Sequence, residues 1–174
     1  MARMRILIVA LLVLSGTIRP TPSAAQSANG RRCDSASDRQ FDFFVGEWDV
    51  FDRGGSTKAA DVRVDKMLDG CVLREDYSDA SGLLGHSLSS FDTKTGQWQQ
   101  TWMTNRGQLV VIHGVLDGKD LAFTGWRHDG DVEVLVRARW TPEGTSLRQK
   151  AETSADGGNT WRPWFDLDFR PRRR

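Results

Sequence analysis

The stretch that decides the fold class is residues 109–140, which read LVVIHGVLDGKDLAFTGWRHDGDVEVLVRARW. Two Asp-Gly pairs, Asp117-Gly118 and Asp129-Gly130, divide it into three runs rich in Val, Leu, Phe and Trp. Such pairs are frequent two-residue hairpin turns, because glycine adopts the positive φ that these turns require. In the third run the even-numbered positions from Val132 to Trp140 are apolar, which is the period of a strand with one buried face. Three consecutive antiparallel strands are therefore predicted.

Similar runs lie on both sides of this stretch. Thr93-Lys94-Thr95-Gly96, Glu143-Gly144 and Asp156-Gly157-Gly158-Asn159 supply further tight turns. Turns at intervals of about ten residues are typical of an antiparallel sandwich or barrel. The predicted strands are residues 45–53, 60–67, 71–79, 84–92, 97–104, 109–117, 120–128, 132–141, 146–154 and 161–170.

One hairpin after another favours an up-and-down meander, and closing the meander removes the two edges that an open sheet would leave unpaired. We therefore predict an all-β fold, an antiparallel up-and-down barrel of about ten strands. Residues 38–44 are predicted to form a short N-terminal helix that plugs one end, with Phe41, Phe43 and Phe44 turned inward.

The first residues have the pattern of a secretory signal peptide. Arg3 and Arg5 precede an apolar run from Ile6 to Leu14. This run is far shorter than the ~20 residues of a membrane-spanning helix. The small residues Ser23 and Ala25 suit a cleavage site, which we place after Ala25, and no cysteine stands there to carry a lipid. We expect a periplasmic or secreted protein that is not a lipoprotein and is not inserted in the membrane.

The chain that remains after cleavage is long enough for one hydrophobic core and too short for two ordinary domains. We divide it into a flexible segment (26–40), a barrel domain (41–171) and a basic tail (172–174). Removing residues 1–25 takes away three arginines and no acid, so the formal net charge of +1 becomes −2. A nearly neutral protein is a poor candidate for nucleic-acid binding. The C-terminal arginines form a basic cluster that could contact an anionic surface, but we expect them to be solvated; they are Arg170, Arg172, Arg173 and Arg174.

The two cysteines, Cys33 and Cys71, both follow the cleavage site. Disulfides persist in exported proteins, so we predict a bond between them. It would close a loop of roughly forty residues and contribute about 2 to 4 kcal/mol, mostly by restricting the unfolded chain.

The segment from Phe41 to Val50, FDFFVGEWDV, resembles the start of small exported bacterial proteins of unknown function, which have a phenylalanine-rich segment followed by Gly-x-Trp. The resemblance continues over nearly all of the mature chain. It runs through Gly70-Cys71 with Glu75, residues 87–92, Trp98-x-Gln100-x-Trp102 and residues 154–161. This group is similar to domain-of-unknown-function family 1579 and, through Gly-x-Trp, to calycin or lipocalin-like barrels.

The resemblance implies a fold and a compartment and does not imply an activity. In calycins the Gly-x-Trp of the first strand is a structural device, in which the Trp closes one end of the barrel and the Gly lets another backbone approach. By this likeness Gly46 and Trp48 have structural roles.

Seven tryptophans against a single tyrosine point to a special use of indole rings. Trp98, Gln100 and Trp102 share one face of a predicted strand, because side chains at i, i+2 and i+4 align. If that face lines the barrel, two aromatic platforms and an amide suit a flat or sugar-like ligand. The alternatives are that they fill the core or cap an apolar outer face. Trp126 is a further candidate ligand-binding residue.

His113 and Glu75 complete the candidate set. His113 lies in a strand-like setting where a calycin relative could place a haem ligand, although a satisfied or exposed histidine is the commoner role. No metal-ligand spacing and no nucleophile motif is present, so we expect no metal, no cofactor and no assigned catalytic residue. Glu75, Arg127, Arg137 and Arg139 would form a polar network inside a cavity or, as alternation favours, face solvent.

Three functions remain open at this stage. We favour noncatalytic binding of a small, partly apolar ligand in the barrel. The second is a lipocalin-type enzyme, such as an isomerase or cyclase, in which Gln100, Glu75 or His113 does proton chemistry. The third is an envelope assembly module that binds another protein through exposed aromatic residues.

Overall fold

The computed structural model describes residues 33–173. The predicted signal peptide, its cleavage site and residues 26–32 lie outside the described residues. Ten antiparallel strands close into a barrel in which each strand pairs with its neighbours in sequence and β1 pairs with β10. The strands are β1 Gly46–Asp52, β2 Lys58–Met67, β3 Val72–Asp79, β4 Leu84–Asp92, β5 Gln97–Thr104, β6 Leu109–Asp117, β7 Asp120–Asp129, β8 Val132–Glu143, β9 Ser146–Ser154 and β10 Arg162–Pro171.

The fold class is as predicted, and the strand positions agree closely with those expected from the turns. The third run of the deciding stretch shows the reason. In β8 the residues Val134, Val136, Ala138 and Trp140 are buried, whereas Arg137 and Arg139 are exposed. On the outer face Arg137 pairs with Glu152. Arg139 pairs with Asp117 at the end of β6 and with Asp120 at the start of β7. Charged pairs in solvent stabilise little by themselves but keep this face wet.

One end of the barrel is closed by the segment predicted as a short helix. It forms two 3-10 turns, Ser37–Arg39 and Asp42–Phe44. Phe41 and Phe44 are completely buried and Phe43 is partly buried. The Phe41 ring packs edge-on against Trp98 and Trp140. We call residues 37–44 the plug.

The predicted disulfide is present and ties the chain before the plug to the start of β3. Cys33 and Cys71 are bonded across a sequence separation of 38 residues. A third 3-10 turn, Leu68–Gly70, leads from β2 into this bond and carries Leu68 and Asp69 at positive φ.

Gly46 and Trp48 lie beside the plug. The Trp48 indole is buried and its Nε1 donates a hydrogen bond of 2.9 Å to the Phe44 carbonyl oxygen. Gly46 has φ +149°, a conformation that favours glycine, and its Cα faces the Trp48 ring. The pair thus joins the plug to β1.

Two expectations about the C-terminal part are corrected by the structure. Arg170 and Arg172 are not simply solvated: Arg170 stacks 4.0 Å from the Phe51 ring, and Arg172 bonds to Asp49 and Asp61. The odd-numbered positions Trp161, Phe165, Leu167 and Phe169 predict one shared face of the last strand, but Trp161 lies in the loop before β10. A bulge between Pro163 and Phe165 offsets the alternation, so Trp164 lines the cavity together with Phe165, Leu167 and Phe169.

Two inward glycines let β6 and β7 approach closely. A Cβ atom at Gly125 would overlap the carbonyl oxygen of Val111, and one at Gly114 would overlap that of Ala122. Glycine in a strand often marks such a close backbone approach at a barrel corner. No helix within residues 33–173 is long and apolar enough to cross a bilayer.

Candidate functional site

The barrel contains a cavity of about 330 Å³ between the plug and the opposite end. Its volume is at the lower end of the range that holds small-molecule ligands. The wall formed by β8, β9 and β10 is mainly apolar, and the wall formed by β3 and β5 carries polar groups. The apolar wall is lined by Val136, Ala138, Trp140, Ala151, Phe165, Leu167 and Phe169.

The polar wall is a hydrogen-bonded chain across three strands. The Ser87 hydroxyl of β4 donates to Glu75 Oε2 of β3 at 2.7 Å. The Gln100 side-chain amide of β5 donates to Ser87 and to Ser89, at 3.4 and 3.0 Å. All four residues are buried. The strand register explains the chain, since Glu75 lies opposite Ser87 and Ser89 lies opposite Gln100.

This network leaves acceptor capacity unused on the cavity side. Both Glu75 and Gln100 line the cavity, and no residue of the described chain donates to the Oε1 atom of either one. Buried polar groups are usually hydrogen-bonded to protein or ordered solvent. Glu75 Oε1 and Gln100 Oε1 therefore provide two acceptors for a molecule inside the barrel.

The carboxyl group of Glu75 has an altered acidity. Its burial, at 7% exposure, raises the pKa from 4.5 to about 7, and the hydrogen bond from Ser87 opposes this only in part. Burial in an apolar medium disfavours the charged form. Near neutral pH this group therefore exists in both the acid and the carboxylate form.

Aromatic side chains surround the polar wall. The Trp102 ring lies over Gly85 of β4, where any Cβ atom would overlap it. Tyr77 packs edge-on against Trp102 with ring centroids 5.5 Å apart, and burial followed by the neighbouring Asp79 raises the pKa of Tyr77 to about 12. Trp140 is 1% exposed, and its Nε1 has no acceptor among the described residues.

The end of the cavity away from the plug is lined by Asp52, Leu83, Gln108 and Trp164. The turns at this end are joined to one another. Arg106 donates to the Ser81 carbonyl and hydroxyl oxygens at 2.9 and 2.8 Å, and Asn105 donates to the Gly82 carbonyl at 3.0 Å. The rim between β3–β4 and β5–β6 is thus a fixed edge. We call this end the mouth.

The structure brings together three of the six sequence-derived candidates. Glu75, Gln100 and Trp102 line the cavity. Trp98 shares their face but lies deeper, buried against Phe41 of the plug, and its Nε1 donates to Gln40 at 3.2 Å.

The other two candidates are on the outer face. His113 is exposed, and Trp126 packs against His128 with ring centroids 5.2 Å apart. Trp126 lies opposite Val111 and Leu135 in an outer row that also includes Leu88 and Thr101. These positions remove both side chains from the barrel interior.

Glu75 and Arg127 are exceptions to the expectation that the four charged residues face solvent. Arg137 and Arg139 are exposed, but Glu75 is buried and Arg127 points inward. The alternation of β3 carried the necessary signal, because Leu73, Glu75 and Tyr77 share one face. Ser87, Tyr77, Trp140 and Trp164 belong to the site and were missed, since only the cross-strand register brings them together.

Comparison with protein-family models gives no match for this chain, and comparison with curated proteins gives none either.

Proposed function

We propose that this chain is an exported binding protein, which holds a small, partly apolar molecule inside its barrel. The observation that carries the proposal is the cavity, which has an aromatic and aliphatic wall facing a polar wall with unused acceptors. Small-molecule sites combine mostly apolar linings with a few placed polar groups. The disulfide agrees with export to an oxidising compartment.

The test fills the cavity and leaves the outer surface as control. Ala138 lines the cavity on β8, and Ala122 lies on β7, where it faces outward opposite Arg139. In native mass spectrometry of the protein purified from its own cells, we expect additional bound mass in the wild type and in Ala122→Leu. We expect none in Ala138→Leu. Thermal unfolding of each variant verifies that it is folded.

Bound mass retained by a folded Ala138→Leu variant would place the ligand outside the barrel and contradict the proposal. Failure of the wild type and of Ala122→Leu to bind an apolar probe, such as N-phenyl-1-naphthylamine, would also contradict the proposal.

A second function is favoured by one specific observation, the pKa of about 7 for a carboxyl group inside the cavity. A group with this pKa both accepts and releases protons near neutral pH, as general acid–base catalysis requires. In deuterium oxide, an enzyme of this kind would place deuterium on carbon in the copurified ligand. Glu75→Gln would bind the ligand without this exchange.

A further inference from the structure

The side chain of Arg127 is a cation on the inner face of the barrel near the mouth. Arg127 lies on β7 opposite Val110 and Val134, both of which are buried inner-face residues. Only 14% of its side chain is exposed. Its guanidinium carbon lies 4.6 Å from the centre of the Trp164 ring. Trp164 and Val110 line the cavity, and Arg127 lies directly beside both of them without lining it.

The hydrogen-bonding capacity of Arg127 is mostly unused. Its Nε is buried and has no acceptor within residues 33–173. The two terminal nitrogens make only long contacts, of 3.5 Å to the His128 carbonyl oxygen and 3.4 Å to Asp129. Asp129 is 68% exposed, and an exposed pair of this length contributes little. A buried guanidinium with a free donor calls for an acceptor, and an anion satisfies it best.

The strand register connects Arg127 to the polar wall. One continuous row of paired inner positions runs Glu75–Ser87–Trp102–Val110–Arg127 across β3 to β7. Four strand spacings of about 4.8 Å separate its ends along the wall. In a closed barrel of ten strands, four steps lead towards the opposite side. Arg127 and Glu75 thus lie towards opposite sides of the barrel, with Trp102 between them along the wall.

We propose that the ligand is a flat, unsaturated organic acid. Its anionic group bonds to Arg127 at the mouth, its ring system lies among Trp102, Trp164 and the aliphatic wall, and its far edge meets Glu75 and Gln100. This inference rests on the proposed function and specifies the ligand class of the same site.

The two ends of the cavity select for this class in different ways. A guanidinium binds a planar carboxylate through two parallel hydrogen bonds and also stacks on aromatic rings. A neutral hydrocarbon of the same size would leave the buried Arg127 Nε and the free acceptors of Glu75 and Gln100 without partners, which is costly in an apolar interior.

The test compares two probes of almost identical shape, 2-naphthoic acid and 2-naphthamide, by isothermal titration calorimetry at pH 6. At this pH the probe acid is ionised. For the disulfide-bonded wild-type protein we expect the acid to bind at least tenfold more tightly than the amide. Arg127→Gln should weaken binding of the acid at least tenfold and change binding of the amide less than threefold.

Arg137→Gln is the matched control. Arg137 also stacks on a tryptophan, with its guanidinium carbon 4.3 Å from the Trp161 ring, but it lies on the outer face. This variant should bind both probes like the wild type.

The outcomes separate the inference from the function on which it rests. If Arg127→Gln weakens the binding of both probes equally, Arg127 only packs against Trp164. If the wild type binds the amide as tightly as the acid, the site does not distinguish a charged ligand from a neutral one. Either result overturns the inference and leaves the binding function intact. Failure of the wild type to bind either probe would overturn both.

Discussion

At the scale of single residues, Glu75 has the most unusual environment, a carboxyl group inside a barrel. Its pKa is about 7 in the folded protein, compared with an ordinary value of 4.5. Between these two pH values the folded state therefore holds a proton that the unfolded state has lost. The contribution of Glu75 protonation to the stability of the folded state is complete below pH 4.5 and is lost as the pH rises to about 7.

Replacement of Glu75 by glutamine should remove this pH dependence. Relative to the wild type, Glu75→Gln should gain about 3 kcal/mol in free energy of unfolding between pH 4.5 and 7.5, since one pKa unit corresponds to about 1.4 kcal/mol. Urea unfolding at a series of pH values measures the difference. Glu133→Gln, on the exposed outer face of β8, is the control. Parallel curves for Glu75→Gln and the wild type would contradict the burial of a titrating carboxyl group.

Asp156 is the residue that organises the turn between β9 and β10. Its carboxylate accepts hydrogen bonds from the Thr160 hydroxyl at 2.6 Å, the Thr160 backbone N–H at 2.9 Å and the Ser154 hydroxyl at 2.7 Å. The bonds from Thr160, followed by the bond from Ser154, lower the pKa of Asp156 to about 2. The same turn carries Trp161, whose Nε1 donates to the Gly158 carbonyl oxygen.

We expect Asp156→Ala to open this turn without unfolding the barrel. Limited proteolysis should cut the variant within residues 155–161 and leave the wild type intact, because a turn without its side-chain hydrogen bonds frays. Asp131→Ala, in the exposed turn between β7 and β8, provides the comparison. Equal resistance to cleavage in both variants would show that the bonds of Asp156 are dispensable.

At the scale of strands, the strongest constraint is the contact between β6 and β7 at their inward glycines. Gly125→Ala would force its methyl group into the Val111 carbonyl oxygen, and both atoms belong to rigid paired backbone. We expect a loss of about 3 kcal/mol in unfolding free energy, comparable with severe overpacking. Thr124→Ala, at an exposed position of the same strand, should cost much less. Urea unfolding of both variants measures the contrast.

Strands were also the scale at which the sequence was most informative. Asp-Gly turns and alternation located all ten strands, because a turn sequence and a period of two are local properties of the chain. The bulge near Pro163 could not be predicted from these local patterns, so the inner-face position predicted for Trp161 was wrong. The site could be predicted only in part from the sequence, because the contacts of Glu75 with Ser87 and of Arg127 with Trp164 depend on strand register and on closure of the barrel.

At the scale of the whole molecule, the disulfide holds the plug side of the barrel together. The double variant Cys33→Ser with Cys71→Ser should lose about 3 kcal/mol in unfolding free energy. The reason is that it lacks the cross-link between residues 38 positions apart, which restricts the unfolded chain. The comparison is urea unfolding of the wild type against this variant, without reductant. Unchanged stability would mean that the unfolded chain is already compact around these residues. The plug itself has independent contacts through Phe41 and Phe44, so the variant should remain folded.

The pairing of β1 with β10 sets the order in which the molecule can assemble. Trp48 pairs with Pro171 and Asp52 with Leu167, so this seam joins residues more than a hundred positions apart, whereas every other seam joins neighbouring hairpin arms. Hairpins form early because their loops are short, and long-range closure comes late. A chain of which only the first nine strands have been synthesised therefore forms an open sheet with two unpaired edges. The internal cavity comes into existence only when the tenth strand pairs with the first.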